Sequence, residues 1–165
     1  MKALFAGSFN PPTLGHLDLI TRAAGMFDTV LVAVLGNPDK RGALPMDRRA
    51  EMLRRITKDL PNVEVTFSGG LLTDLARETG SDVVLRGVRG TADLPFEMQL
   101  ANAYRTLGGI ETLFMSCSPQ YCMLSSTIVR DCAAHGAPLD AMVPGELIDE
   151  IYAAYGNTPN AEKEF

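Results

Sequence analysis

The sequence has little of several features that mark special classes of protein. It has three cysteines, two histidines, no apolar run approaching the length of a membrane span, and a net charge of -5. Proteins that bind nucleic acid generally are usually basic, so this charge disfavours that class. Because the cysteine count is odd and no secretion signal is recognisable, we expect reduced thiols, a cytoplasmic location and no association with a membrane.

Familiar metal and phosphate motifs are missing as well. The spacing of Cys117, Cys122, Cys132 and His135 matches no standard zinc pattern, so we expect no protein-held metal. His135 precedes a glycine and is typical of a helix C-terminus. The sequence contains neither the Gly-Lys-Ser/Thr ending of a Walker A loop nor the Gly-x-Gly-x-x-Gly dinucleotide fingerprint. Any phosphate site must therefore use another loop.

What the sequence does contain is an alternation of strand-like and helix-like segments. The strand candidates are residues 2–6, 29–35, 63–67, 82–85 and 112–116. The helix candidates are residues 15–26, 47–59, 71–78, 94–107, 126–134 and 146–155. The strands are near-continuous apolar runs, as in parallel strands buried on both faces. We predict an α/β fold, a doubly wound five-stranded parallel sheet with helices on both faces, in one domain over residues 1–156 with a polar tail at 157–165.

The first turn after a strand is a candidate phosphate site. Ligands of such sheets bind beyond the carboxyl ends of the strands. Gly7 permits close approach of a ligand, Pro11 and Pro12 stiffen the turn, and Gly15 and His16 open a helix whose N-terminus attracts anions. From these residues alone, a purely structural interpretation, in which His16 only caps the helix, stands beside the functional one.

Cations and a second helix start follow other strands. Arg86 and Arg89, flanked by glycines, follow the fourth strand, and the arginine fork matches phosphate oxygens. Lys40 follows the second strand, and residues 125–127 (Ser-Ser-Thr) start a helix where hydroxyls and amides could hold a polyphosphate. The alternatives are solvated surface arginines and ordinary helix capping.

These motifs resemble those of a known family. The stretch from Gly7 to His16 resembles the Thr-x-Gly-His signature of the nucleotidylyltransferase superfamily. Residues 86–101 are similar to bacterial phosphopantetheine adenylyltransferases, and residues 125–127 resemble the serine-rich motif that closes their ATP site. The resemblance implies a Rossmann-like fold, a homohexamer, Mg²⁺, and transfer of an adenylyl group from ATP to 4′-phosphopantetheine in coenzyme A biosynthesis.

The resemblance also implies roles for individual residues. His16 and Lys40 would be catalytic, with His16 stabilising the transition state. The residues implied to bind phosphopantetheine are Ser8, Lys40, Leu72 and Arg86. The residues implied to bind ATP are Ser8, Phe9, His16, Gly87, Val88, Arg89, Glu97, Tyr121, Cys122, Met123, Leu124, Ser125, Ser126 and Thr127.

Two alternatives concern the acceptor and the activity. Asn10 stands where the family more usually has Asp, and the stretches 10–12 and 126–130 are similar to nicotinate-mononucleotide adenylyltransferases. Against that, Thr13 occupies the place of their first histidine, and residues 97–100 favour phosphopantetheine. A non-catalytic nucleotide-binding module is the second alternative, because a fold does not fix a function.

Overall fold

A computed structural model describes residues 1–36 and 44–156. The strands are β1 (Lys2–Gly7), β2 (Thr29–Leu35), β3 (Val63–Ser68), β4 (Val83–Val88) and β5 (Glu111–Ser116). The helices are α1 (Leu14–Ala24), α2 (Met46–Ile56), α3 (Leu72–Thr79), α4 (Leu94–Gly108), α5 (Ser126–Ala134) and α6 (Ile148–Tyr155). Short 3-10 turns occupy Pro119–Tyr121 and Gly145–Leu147. No helix in the described ranges is long and apolar enough to cross a membrane.

The sheet has the strand order β3-β2-β1-β4-β5, and its four strand pairs are all parallel. The chain moves outward from β1 to β3 and then crosses back to β4, so the winding direction reverses between β1 and β4. This confirms the predicted doubly wound sheet. A crevice at the carboxyl ends of the strands at such a reversal is the usual ligand site of this architecture.

The apolar core covers both faces of the sheet. In β1, Phe5 packs on one face with residues of α1 and α2, whereas Leu4 and Ala6 pack on the other with residues of α3. A third buried cluster joins α2, α5 and α6 around Met52 and Ile151. Because the central strands face apolar helices on both sides, their sequences lack the polar alternation of a half-exposed strand.

The end of β4 differs from the prediction. The sequence placed Arg86, Gly87 and Val88 in a loop after the strand, but they continue β4 and pair with Phe114, Met115 and Ser116 of β5. The physical reason is the length of the neighbouring strand, which supplies partners for these backbone groups. The C-terminal helix also begins later than predicted, at Ile148, because residues 145–147 form a 3-10 turn.

Candidate active site

A cavity of about 330 Å³ lies at the carboxyl ends of β1 and β4. Three segments distant in sequence line it: the β1–α1 connection, the end of β4 with Arg89, and the β5–α5 connection. It brings together these predicted site residues: Ser8, Phe9, His16, Arg86, Gly87, Arg89, Tyr121, Leu124, Ser125, Ser126 and Thr127. The lining also contains Thr13, Gly15 and Cys117, which had no assigned ligand role.

Five other predicted residues stand apart from this lining, and a sixth, Lys40, lies outside the described residues. Leu72 is buried in the apolar cluster on the face of the sheet opposite Phe5. Glu97 is a buried residue of α4. Val88 is half-buried at the end of β4, whereas Cys122 and Met123 are exposed. The ligand roles assigned to these six residues stay predictions.

Phe9 forms one wall of the cavity. Its ring is buried and meets His16 edge to face, with ring centroids 5.0 Å apart, and it meets Phe5 in the same way at 5.7 Å. Its backbone lies in the left-handed region at φ 43°, which costs a non-glycine residue on the order of 1–3 kcal/mol. Burial of the aromatic ring offsets this cost, and the buried ring lies against the histidine.

His16 takes part in the start of α1. Thr13 is the N-cap, and its Oγ1 accepts a hydrogen bond from the His16 backbone N–H at 3.3 Å. In return the Thr13 backbone N–H donates to His16 Nδ1 at 3.0 Å, which completes a capping box. His16 therefore caps the helix and lines the cavity at once, so the structural interpretation does not remove it from the site.

The imidazole of His16 is neutral at physiological pH. Burial lowers the pKa of His16 to about 4, and the positive charge of Arg89 acts in the same direction. A neutral ring carries one N–H, which can donate a single hydrogen bond to a ligand. The side chain thus suits stabilisation of an anion by hydrogen bonding rather than by a full positive charge.

The two arginines of the cavity are anchored in different ways. Arg86 forms a bidentate pair with Glu97, at 2.6 and 2.8 Å, and donates to the Ala6 carbonyl at 2.9 Å. Arg89 is half exposed, and its side chain donates to both oxygens of Asp93 at 3.2 and 3.3 Å. Arg86 is therefore held rigidly within the protein, whereas Arg89 is itself more exposed and is held by a half-buried partner.

The helix start at α5 is joined to the β1–α1 connection. Ser125 caps α5 by accepting from the Ile128 N–H at 3.2 Å, and Ser126 Oγ donates to the Pro11 carbonyl at 2.8 Å. Arg130 donates to the Asn10 carbonyl at 2.6 Å. Two helix N-termini thus open on one cavity, and both favour negative charge.

Among the described residues, the charged side chains that line the cavity are cationic, although the protein is acidic. They are Arg86 and Arg89, each paired with a carboxylate that is not itself in the lining, whereas the whole chain carries a net charge of -5. Within the described ranges, no group of three or more His, Cys, Asp or Glu side chains could hold a metal ion. The arrangement suits a polyanion whose phosphates meet arginines, hydroxyls and helix N-termini.

Sequence reasoning missed several residues that support the site. Asp18 accepts hydrogen bonds from Ser118 Oγ at 2.8 and 2.9 Å, which ties the segment after β5 to α1. The Asn10 side chain accepts from the Tyr155 hydroxyl and from the Leu44 N–H at 3.3 Å. The spacing of Thr13 and His16 could have indicated a capping box, but no local signal links Asn10 to a residue on the last helix.

Comparisons with known proteins identify relatives of this chain by sequence. A family model described as cytidylyltransferase-like matches residues 4–132. The phosphopantetheine adenylyltransferase of Symbiobacterium thermophilum is 48% identical over 145 residues, which cover 87% of this chain and 90% of that protein. That of a Picosynechococcus species is 43% identical over 156 residues, which cover 94% of this chain and 88% of that protein.

Solved structures show the same Rossmann-like fold at low sequence identity. Plasmodium falciparum nicotinic acid mononucleotide adenylyltransferase, complexed with NaAD, matches with a TM-score of 0.67 and 12% identity, over 92% of this chain and 94% of that one. A putative nicotinate-nucleotide adenylyltransferase from Vibrio parahaemolyticus matches with a TM-score of 0.63 and 20% identity, over 92% and 91%. At these identities the likeness concerns the fold alone.

Proposed function

The chain belongs to the phosphopantetheine adenylyltransferases, within the cytidylyltransferase-like family, and from this premise we propose that it transfers the adenylyl group of ATP to 4′-phosphopantetheine, giving dephospho-CoA and pyrophosphate. The observation that carries the proposal is the meeting of His16, Arg86 and Arg89 in one cavity between the starts of α1 and α5. This site offers hydrogen-bond donors and positive charge to phosphates from two sides of the cavity.

The reaction needs no general base on the protein. The acceptor phosphate is already anionic near neutral pH, so one of its oxygens can attack the α-phosphorus of ATP directly. The bond from that phosphorus to the oxygen bridging to the β-phosphate breaks, and the electron pair leaves with pyrophosphate. The protein then contributes positioning and stabilisation of negative charge.

The side chains divide between the two substrates. His16 donates its one N–H to a non-bridging oxygen of the α-phosphate as negative charge develops there. Arg86, and Lys40 from the segment outside the described residues, hold the acceptor. Arg89 and the hydroxyls at the start of α5 hold the departing pyrophosphate, which the helix N-terminus also attracts.

The acceptor is tested by pyrophosphate release. ATP is supplied with 4′-phosphopantetheine or with nicotinate mononucleotide, and the adenylylated product is identified by mass spectrometry. We expect pyrophosphate and dephospho-CoA with the first acceptor and no product with the second. Product from nicotinate mononucleotide alone would show that this compound, and not 4′-phosphopantetheine, is the acceptor. ATP binding without product from either compound would favour the non-catalytic module.

We propose further that Mg²⁺ enters the site with ATP. The cavity lining fits such an ion because it offers hydroxyl oxygens at residues 125–127. The described residues contain no carboxylate cage, so the metal would be held through the ATP phosphates beside those residues and through water. Bound there, Mg²⁺ supplies positive charge to the phosphate oxygens.

Removal of the metal should affect turnover and not folding. EDTA should abolish pyrophosphate release, and excess Mg²⁺ should restore it, while the Tm of the ligand-free protein stays unchanged by the chelator. Differential scanning fluorimetry with and without EDTA measures the second quantity. A large fall in Tm would instead indicate a structural metal.

The proposal extends to assembly and location. We infer a homohexamer in the cytoplasm. The three free cysteines support the location, and exposed apolar side chains on the neighbouring elements α4 and β5 support the assembly. These side chains are Phe96, Met98, Leu107, Leu113 and Phe114. Sedimentation velocity at micromolar protein should show one species of about six times the 17.8 kDa chain mass. An active monomer would contradict the assembly.

A further inference from the structure

The hydrogen bond between Thr13 and His16 determines which ring nitrogen carries the proton. A backbone N–H is always a donor, and the Thr13 N–H points at His16 Nδ1 at 3.0 Å. Nδ1 must therefore be the acceptor in this pair, and a neutral ring has its single proton on Nε2. The cap occupies Nδ1, so Nε2–H is the donor left for a ligand in the cavity that His16 lines.

The Thr13 hydroxyl reinforces this arrangement. It lies 3.0 Å from Nδ1 and accepts from the His16 backbone N–H at 3.3 Å, so its own hydrogen can share the single Nδ1 lone pair with the Thr13 N–H. Thr13 is buried, with 2% of its surface exposed, and its carbonyl accepts from the Leu17 N–H at 3.1 Å. Both the N–H and the carbonyl of Thr13 are thus hydrogen-bonded, and the imidazole is held against this residue.

We propose that Thr13 is a positioning residue for adenylyl transfer, which holds His16 as the Nε2–H tautomer with that hydrogen available to the α-phosphate. The proposal rests on the function proposed above, but the tautomer itself is a property of the ligand-free protein. Protonation of Nδ1 would bring its hydrogen against the Thr13 N–H, so the cap also opposes formation of the imidazolium.

The surroundings of the ring act in the same direction. Arg86 and Arg89 line the cavity from the β4 side, and Tyr121 and Cys117 line it from the β5–α5 connection. Both charged groups are cationic, so they disfavour a second positive charge on His16. Burial and Arg89 together lower the pKa of His16 to about 4. A base with a lowered pKa stays neutral until the pH falls through that value.

The tautomer is measured by NMR on the ligand-free protein labelled with ¹⁵N-histidine. Only two histidines are present, so a His135→Gln variant assigns the signals. We expect Nδ1 of His16 to resonate as an unprotonated nitrogen and Nε2 as a protonated one, throughout pH 5–8. An Nδ1–H tautomer, or titration of the ring near pH 6.5, the usual histidine pKa, would overturn the proposal whatever the acceptor proves to be.

Thr13→Val and Thr13→Ser test the role of the hydroxyl. Valine keeps the branched shape but loses the oxygen, whereas serine keeps the oxygen. Thr13→Val should lower kcat by about 10- to 100-fold with KM for ATP nearly unchanged. A misplaced donor weakens the hydrogen bond to the transition state more than the binding of ATP. Thr13→Ser should retain most of the kcat. Tm values of both variants show whether the helix start still folds.

The pH profile separates positioning from control of the His16 pKa. In wild type, kcat/KM follows only the titration of the acceptor phosphate on the acid side. In Thr13→Val the backbone N–H still donates to Nδ1, and burial and Arg89 still lower the pKa of His16, so the variant-to-wild-type ratio should stay constant as the pH is lowered. The ratio cancels the titration of the acceptor. A ratio that falls at low pH, or a Thr13→Ser variant as impaired as Thr13→Val, would refute the positioning role.

Discussion

His16→Ala should lower kcat by roughly 10²–10³ and leave the affinity for ATP nearly unchanged. In the proposed mechanism the neutral imidazole contributes one hydrogen bond to charge that develops on the α-phosphate, and this bond strengthens in the transition state. Steady-state kinetics with calorimetry of ATP binding measures the two quantities. Equal losses in binding and turnover would make His16 a ground-state ligand, and unchanged turnover would remove it from the mechanism.

The capping box supplies a matched control for this variant. Alanine also removes the acceptor for the Thr13 N–H, so it should destabilise α1 by about 1 kcal/mol. Glutamine is common at position N3 of a capping box, the position that His16 occupies, and it can keep that hydrogen bond. His16→Gln should therefore restore the Tm but not the kcat. His135→Ala, at the exposed end of α5, should change neither.

Arg86→Ala should weaken binding of the acceptor by about 1.5–3 kcal/mol and leave ATP binding nearly intact, whereas Arg89→Ala should do the reverse. Each guanidinium is held by its own carboxylate, Glu97 or Asp93, and in the proposed mechanism each meets a different substrate. Calorimetry with each ligand alone on both variants tests the division. If both substitutions weakened the same ligand, the assignment of the two half-sites would be wrong.

The buried pair complicates Arg86→Ala, because the substitution leaves Glu97 buried without its partner. A buried charge that loses its partner destabilises a protein by about 3–5 kcal/mol. The double variant Arg86→Ala, Glu97→Gln removes the charge and should recover part of the lost Tm while acceptor binding stays weak. Recovery of acceptor binding in the double variant would show that Arg86 acts only through the fold.

The fold was predictable because its signals are local. Near-continuous apolar strands separated by helix-length segments fixed the order of elements, and both faces of the sheet are covered as the strand patterns indicated. The end of β4 was not predictable from its own sequence. Gly87 and its neighbours stay in the strand because β5 supplies hydrogen-bonding partners, and that pairing is not visible in residues 82–90.

The site was predictable in part. The motif residues that follow strands meet in the cavity, because the carboxyl ends of parallel strands share one edge. Glu97 was assigned to ATP, yet its carboxylate pairs with Arg86, a contact between two elements that no spacing rule specifies. The contact of Asn10 with Tyr155 likewise depends on where the last helix docks.

The central position of β1 has a consequence for the order of events during synthesis. β1 pairs with β2 soon after both have been made, but its other edge waits for β4, with Ala3 beside Val83. The cavity needs still later residues at the start of α5. A nascent chain can therefore pair β1 with β2 long before it has the cavity. Contacts so distant in sequence slow folding, and they couple the catalytic groups to completion of the whole sheet.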